Sequence, residues 1–204
     1  MFRFLAGRRG PVAEGGTGVA ADAGDALDIA LMARIVAHDL AAFETLYRIY
    51  DPRLARFLGL MIARRAIVEE VLNDTMLVVW NRAASYNHAS KVSTWIFAIA
   101  YRTALKALQR FDEPLAEPAD EPAAQEPSPE QQRCDGETRA ALMRSLDMLS
   151  NEQRSVLVLT YFHDLPYAEI AQIMSCPVDT VKTRVFHARR RLRALLSGEL
   201  GDWL

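Results

Sequence analysis

Residues 165–193 read LPYAEIAQIMSCPVDTVKTRVFHARRRLR, and the rest of the chain is organised around them. The first part, Tyr167 to Met174, carries apolar residues at Ile170, Ala171, Ile173 and Met174. Ser175, Cys176 and Pro177 interrupt it. Pro177 suits the first turn of a second helix, where a missing N–H costs nothing. Val178, Val181, Val185, Ala188, Leu192 and Leu195 then recur at helical spacing. Opposite that stripe lie Lys182, Arg184, Arg189, Arg190, Arg191 and Arg193, with no acid from 180 to 198. A small residue at a helix crossing (Ala171), a turn, and a second helix with one apolar and one basic face fit a helix-turn-helix. A basic face can be plain solvated surface. Six cations directly after a helix-turn pattern favour a recognition helix, with its base contacts in the major groove and its cations on phosphates.

Outward from this stretch, the chain has 204 residues, enough for one large or two small domains. Half of them are hydrophobic and a quarter charged, so a packed core is available. The net charge of −2 hides an asymmetry: residues 112–137 hold nine acids and one base, whereas residues 182–193 hold six bases and no acid. The distribution, not the total, bears on nucleic acid. Cys134 and Cys176 are the only cysteines. They form no disulfide framework and no zinc-ligand spacing, and a reducing, cytoplasmic setting is expected. No apolar run approaches the ~20 residues of a membrane helix, and MFRFLAGRRG lacks the apolar core of a signal peptide. Residues 1–27 are expected to be a disordered extension, because residues 6–24 are rich in glycine and alanine.

A first domain is expected over 28–110. Asp28 reads as an N-cap, followed by Ile29, Leu31, Met32, Ile35 and Val36. Asp39 can cap the next helix, with Phe43, Leu46, Tyr47 and Tyr50 on its inner face. Pro52 permits a kink or restart before Leu54, Phe57, Leu58, Met61 and Ile62. A helix from about Ile67 to Arg82 turns Val68, Val71, Leu72, Thr75, Met76 and Val79 inward. Its outer face shows Glu69, Glu70, Asn73 and Asp74 without a local basic partner, either solvated surface or a dock for a basic partner. A polar loop, 83–93, leads to TWIFAIAYRTALKALQR, capped by Ser93 or Thr94, with Trp95, Ile96, Ile99, Ala100 and Leu105 inward. Arg102, Lys106 and Arg110 line one face. A basic helix entered through a loop bearing Tyr86, Asn87 and His88 fits stacking on bases and cations along a strand, although Trp95 also suits a core.

Residues 111–136 place Pro114, Pro118, Pro122, Pro127 and Pro129 among acids and form a linker. A second domain is expected over 137–197, with a short tail at 198–204. Leu142, Leu146 and Leu149 face inward on its first helix. Ser150 and Gln153 make a capping box for a helix carrying Val156, Leu157, Leu159 and Phe162. No strand pattern appears, so the fold class is all-α: a helical bundle and a helix-turn-helix domain.

Three blocks, in order, resemble the extracytoplasmic-function (ECF) sigma factors of bacterial RNA polymerase, the small two-domain group of the sigma-70 family. VEEVLNDTMLVVW (68–80) is similar to the family's core-polymerase-binding helix. VSTWIFAIAYRTALKALQR (92–110) is similar to its −10-reading helix. LSNEQRSVLVLTYFHDLPYAEIAQIMSCPVDTVKTRVFHARRRL (149–192) is similar to its −35-reading domain. The resemblance implies that 28–110 is sigma region 2 and 137–197 sigma region 4. Glu69, Glu70, Asn73 and Asp74 would face the basic coiled coil of the polymerase's largest subunit. The loop from Tyr86 through Asn87 and His88 to Lys91 would accept a base extruded from the −10 strand, with Trp95 in support and Arg102 and Lys106 on the backbone. Lys182, Thr183, Phe186 and His187 would meet −35 bases or the adjoining backbone, with Arg184 and Arg189 on phosphates. The implied partners are core RNA polymerase, promoter DNA and an anti-sigma factor, which in this group is often membrane-anchored. No small-molecule substrate, cofactor or metal is implied.

The sequence departs from the family pattern in places. Asn73-Asp74 stands where Gln-Glu is usual, and Tyr101-Arg102 where Arg-Asn is usual. Asp179 replaces a frequent glycine, and His187 replaces a frequent arginine. A neutral histidine cannot make the two-pronged arginine–guanine contact, worth roughly 1–3 kcal/mol of discrimination. The expected function is transcription initiation by promoter recognition, without catalysis by this chain. The alternative is a stand-alone dimeric helix-turn-helix regulator, which accounts for 138–196 but not for the acidic face at 69–74 or the basic helix after Trp95. Scattered histidines and no phosphate loop or nucleophile motif leave no basis for an enzyme.

Overall fold

The computed structural model describes residues 18–62, 64–111 and 141–200. Among the described residues eight α-helices follow one another: α1 Gly18–Val36, α2 Leu40–Met61, α3 Arg65–Arg82, α4 Val92–Phe111, α5 at 141–147, α6 Asn151–Tyr161, α7 Tyr167–Ile173 and α8 Val178–Leu200. A 3-10 turn, Ala83–Ser85, separates α3 from α4. The described residues contain no strand. Most of the expected linker, Cys134, the first part of the N-terminal extension and residues 201–204 lie outside the described residues.

The helices form where the apolar spacing predicts them, with corrections. α1 starts at Gly18, so residues 18–27 are helical and Asp28 is no N-cap. Asp28 is instead 7% exposed and accepts a hydrogen bond from the Tyr50 hydroxyl. Burial raises the Asp28 carboxyl above its usual range, and burial with the neighbouring Asp28 raises the Tyr50 phenol. The pair ties α1 to α2. α2 runs unbroken through Pro52, so no restart occurs there. Asp39 does cap α2, accepting from the Ala42 N–H at 3.1 Å. α4 starts at Val92, which puts Ser93 and Thr94 inside its first turn rather than at its cap.

α2 is the spine of the N-terminal bundle. Leu46, Tyr50, Leu54, Phe57, Leu58 and Met61 recur at three and four and are all 1% exposed or less. Each such side chain contributes about 1.5–3 kcal/mol by leaving water. α3 packs on α2 and α4, and α1 on α2. In the C-terminal half, α8 packs on α6 and α7. The capping box holds: the Ser150 hydroxyl accepts from the Gln153 N–H and the Gln153 side chain accepts from the Ser150 N–H. Val181, Val185, Ala188 and Leu192 are buried along α8, but Val178 is 38% exposed, and Leu196 is buried where Leu195 is only half-buried.

The helix-turn-helix turn has a specific chemistry. The Cys176 N–H donates to the Ala171 carbonyl at 3.0 Å and the Ser175 N–H to the Gln172 carbonyl at 3.3 Å. This is the paired closure that usually places glycine in the left-handed position. Here that residue is Ser175, at φ 52°.

The two halves do not stand apart. α7 packs against α4 and α6 against α2, and buried residues from both halves join in one apolar cluster.

Candidate nucleic-acid interface

The outer face of α3 presents Glu69, Glu70, Asn73 and Asp74, all exposed. One correction applies: Glu69 does have a local basic partner, Arg65, with Nε–Oε1 at 3.3 Å. Both side chains are largely exposed, and such a pair adds little stability. The Tyr47 hydroxyl donates to Asn73 Oδ1 at 2.9 Å, which fixes that amide. Leu77, one turn further along the same face, is 56% exposed, an apolar addition that the charge pattern did not reveal.

The loop before α4 is held rigidly. The Tyr86 hydroxyl donates to the Ser90 carbonyl at 2.6 Å, and Asn87 Oδ1 accepts from the Ala89 N–H at 3.1 Å. The rings of His88 and Trp95 lie 4.6 and 5.6 Å from the Tyr86 ring, and His88 sits at φ 58°. Tyr86 itself is only 9% exposed, so it is the floor of this aromatic group rather than a free stacking platform. Arg102 and Lys106 are exposed on α4 one turn apart, whereas Tyr101, at the other departure from the family pattern, is buried.

On α8, Lys182, Thr183, Phe186 and His187 share the exposed side. Phe186 is 63% exposed and meets the His187 ring edge-on at 5.3 Å. Lys182 is not without a counter-charge: Asp179, just before the cation-rich run, lies 2.9 Å from its Nζ. Arg184 is half-buried and reaches back to Cys176 Sγ at 3.8 Å, so it braces the turn. Arg189 is half-buried as well.

The structure adds a seam between the halves that no sequence pattern announced. Lys91 Nζ lies 2.7 Å from Glu169 Oε1, and the Thr94 hydroxyl donates to Glu169 Oε2 at 3.1 Å. Arg154 is 8% exposed and donates to the Leu146 carbonyl at 2.9 Å, to the Met61 carbonyl at 3.0 Å, and to Asp147 at 3.0 Å. It thus satisfies a carbonyl at the C-terminus of α2, where a cation is favoured. Across the same two halves, the His163 ring stands edge-on to Phe57 and Phe97 at 6.0 and 5.0 Å. Burial, with the positive charges of Arg53 and Arg56, pushes its imidazole down to about 4. A cavity of about 620 Å³ opens on the seam, lined by Met61, Leu105, Leu108, Leu149 and Arg154 among others.

Among the described residues no cluster of histidine, cysteine or carboxylate side chains could hold a metal ion. No helix there is long and apolar enough to cross a membrane.

Comparison with known proteins matches two stretches of the chain to family models and the chain as a whole to relatives. Residues 46–112 match the model of Sigma-70 region 2, and residues 139–192 match that of Sigma-70, region 4. The ECF RNA polymerase sigma factor RpoE of Cereibacter sphaeroides is 32% identical over 176 residues, covering 83% of this chain and 94% of that protein. The ECF sigma factor SigM of Mycobacterium tuberculosis is 30% identical over 171 residues, 83% of this chain and 84% of SigM. Among solved structures, CnrH in complex with the cytosolic domain of CnrY superposes with a TM-score of 0.65 at 23% identity, covering 84% of this chain and 98% of that one. At that identity the likeness is one of fold. The sigma factor RpoE in complex with the anti-sigma factor NepR from Bartonella quintana gives 0.61 at 25% identity, covering 76% and 96%. With regions 2 and 4 present in that order and full-length relatives of this identity, the chain belongs to the ECF sigma factors of the sigma-70 family.

Proposed function

We propose that the chain joins core RNA polymerase and directs it to promoters by reading a −10 and a −35 element, with no catalysis of its own. The observation that carries this reading is the presence of both sigma-70 regions in one chain, at 139–192 and 46–112. Residues 28–110 act as region 2 and 137–197 as region 4. Glu69, Glu70, Asn73 and Asp74 dock the basic coiled coil of the polymerase's largest subunit, helped by the exposed Leu77. Asn87, His88 and Lys91 receive an extruded −10 base above the Tyr86–Trp95 floor, and Arg102 and Lys106 follow its backbone. Unstacking that base costs a few kcal/mol, and a preformed aromatic pocket offsets it without paying loop ordering as well. Lys182, Thr183, Phe186 and His187 read the −35 element, and Arg189 holds phosphate. Arg184, braced on Cys176, fixes the approach of α8.

Two weak DNA-reading units held by one polymerase act together through effective concentration. Regulation by an anti-sigma factor follows from the solved relatives bound to such partners. The chain works in the cytoplasm, at the nucleoid when active.

Run-off transcription tests the function. Core polymerase is assayed with and without the protein on genomic promoter fragments, including the region upstream of its own gene. Discrete transcripts only in its presence support the reading. Absence of transcripts together with failure to co-elute with core polymerase would refute it and leave the dimeric regulator, whose operator should show two-fold symmetry.

A further inference from the structure

We propose that Asp179 and Lys182 act as one unit that reads a single C·G base pair of the −35 element, Asp179 taking the cytosine amino group and Lys182 the guanine. The inference deepens the sigma-factor reading above and rests on it. Asp179 lies in the first turn of α8, and the N-terminal residues of a recognition helix are the ones that meet base edges. Asp179, Lys182, Thr183, Phe186, His187 and Arg190 are all exposed and lie along one face at spacings of three and four. The acid therefore opens the same row as the residues assigned to the −35 element. Its side chain is 90% exposed and that of Lys182 is 58% exposed, with Oδ1 2.9 Å from Nζ. A pair so open to water adds little to stability. The acid also faces a DNA surface carrying one negative charge per about 1.7 Å of axis, which disfavours it unless it makes a contact of its own.

A carboxylate only accepts hydrogen bonds and an ammonium only donates them. In the major groove the donors are the amino groups at cytosine N4 and adenine N6. Within a C·G pair, cytosine N4 and guanine O6 are bonded to each other, about 2.9 Å apart. Asp179 and Lys182 present an acceptor and a donor at 2.9 Å, so Asp179 can face N4 while Lys182 faces O6. An A·T pair also sets a donor beside an acceptor, adenine N6 beside thymine O4, but its flanks fit worse. Adenine N7, an acceptor, would lie against the carboxylate, and the thymine methyl against the ammonium. In the C·G pair, guanine N7 instead gives Lys182 a second acceptor. The Thr183 hydroxyl does not compete as a donor in this turn, because it donates to the Asp179 carbonyl at 2.9 Å. The ion pair is already formed without DNA, so little side-chain ordering is left for the contact to cost.

The test reads base preference with the full chain. Core polymerase and the protein transcribe a pool of promoters in which every −35 position carries all four bases, and the transcripts are sequenced through a barcode. The parent should favour cytosine over guanine and thymine by about tenfold at one position. Asp179→Ala should flatten that preference and leave the ratios at the other positions in place. Asp179→Asn should turn the same position toward adenine, whose N6 and N7 an amide bonds together. An acid in the first turn also favours the helix dipole, and a role confined to that would lower the thermal midpoint of Asp179→Ala while moving no base preference. Unchanged preferences in both variants, flattening at every position at once, or loss of a preference for a base without an amino group would overturn the assignment. Transcripts with unchanged preferences sink the Asp179–Lys182 unit alone. No transcripts from the parent on any promoter sink the sigma-factor reading and this inference with it.

Discussion

Acid should loosen the seam around His163. Its ring stands between Phe57 and Phe97, and its Nε2 is buried with no hydrogen-bond partner among the described residues. Burial, then Arg53 and Arg56, lower its pKa from 6.5 to about 4. Above the unfolded value of 6.5 the imidazole is neutral in every state and the packing is fully available. Between 6.5 and about 4, any state that exposes the ring takes up a proton that the packed state refuses, so stability falls as pH falls. At about 1.36 kcal/mol per pH unit, the full gap converts to roughly 3 kcal/mol. His163 as a residue is half-buried, so solvent screening makes that an upper bound, and a loss of ~2 kcal/mol is expected. Other groups titrate nearby with opposite signs. Asp28, with its raised pKa, favours the folded state as it protonates, whereas Asp39, lowered by Arg34 and the Ala42 N–H, does the reverse. The difference between the parent and His163→Phe isolates the histidine. Urea midpoints followed by tryptophan fluorescence, at steps from pH 7.5 to 4.5, would supply it. The parent should lose stability relative to the variant as pH falls, and a constant difference across that range would refute the reasoning.

Other surfaces give sharper single-site tests. Ser175 holds the helix-turn-helix closure at φ 52°, a region that disfavours side chains, so Ser175→Gly should stabilise the chain by ~0.5–1 kcal/mol; a lower thermal midpoint would contradict this. Glu70→Lys with Asp74→Lys changes two exposed side chains, should leave the helical circular-dichroism signal intact, and should slow association with core polymerase about tenfold or more, most at low salt. Co-elution kinetics check it. Phe186 is exposed on the recognition helix, where an aromatic edge suits a thymine methyl. Phe186→Ala should cost about 1 kcal/mol at one −35 position and relax its base preference, as read by transcription from a promoter library.

The local rules of the fold were readable because they act over a few residues. The capping box at Ser150 and Gln153, the Asp39 cap and the buried stripe of α8 depend on spacings of three or four. Asp28 shows where that reading stops. An acid before an apolar run reads as a cap, but here a tyrosine 22 residues further on fixes its place inside a helix. The acidic and basic faces were legible as charge patterns, although Arg65 and Asp179 partly compensate them. The seam was not legible. Lys91 and Glu169 are 78 residues apart and Met61 and Arg154 are 93 apart, and neither pair has a periodic signature. Arg154 looks like an ordinary polar position on α6, yet it is buried because a helix terminus from the other half supplies its acceptor.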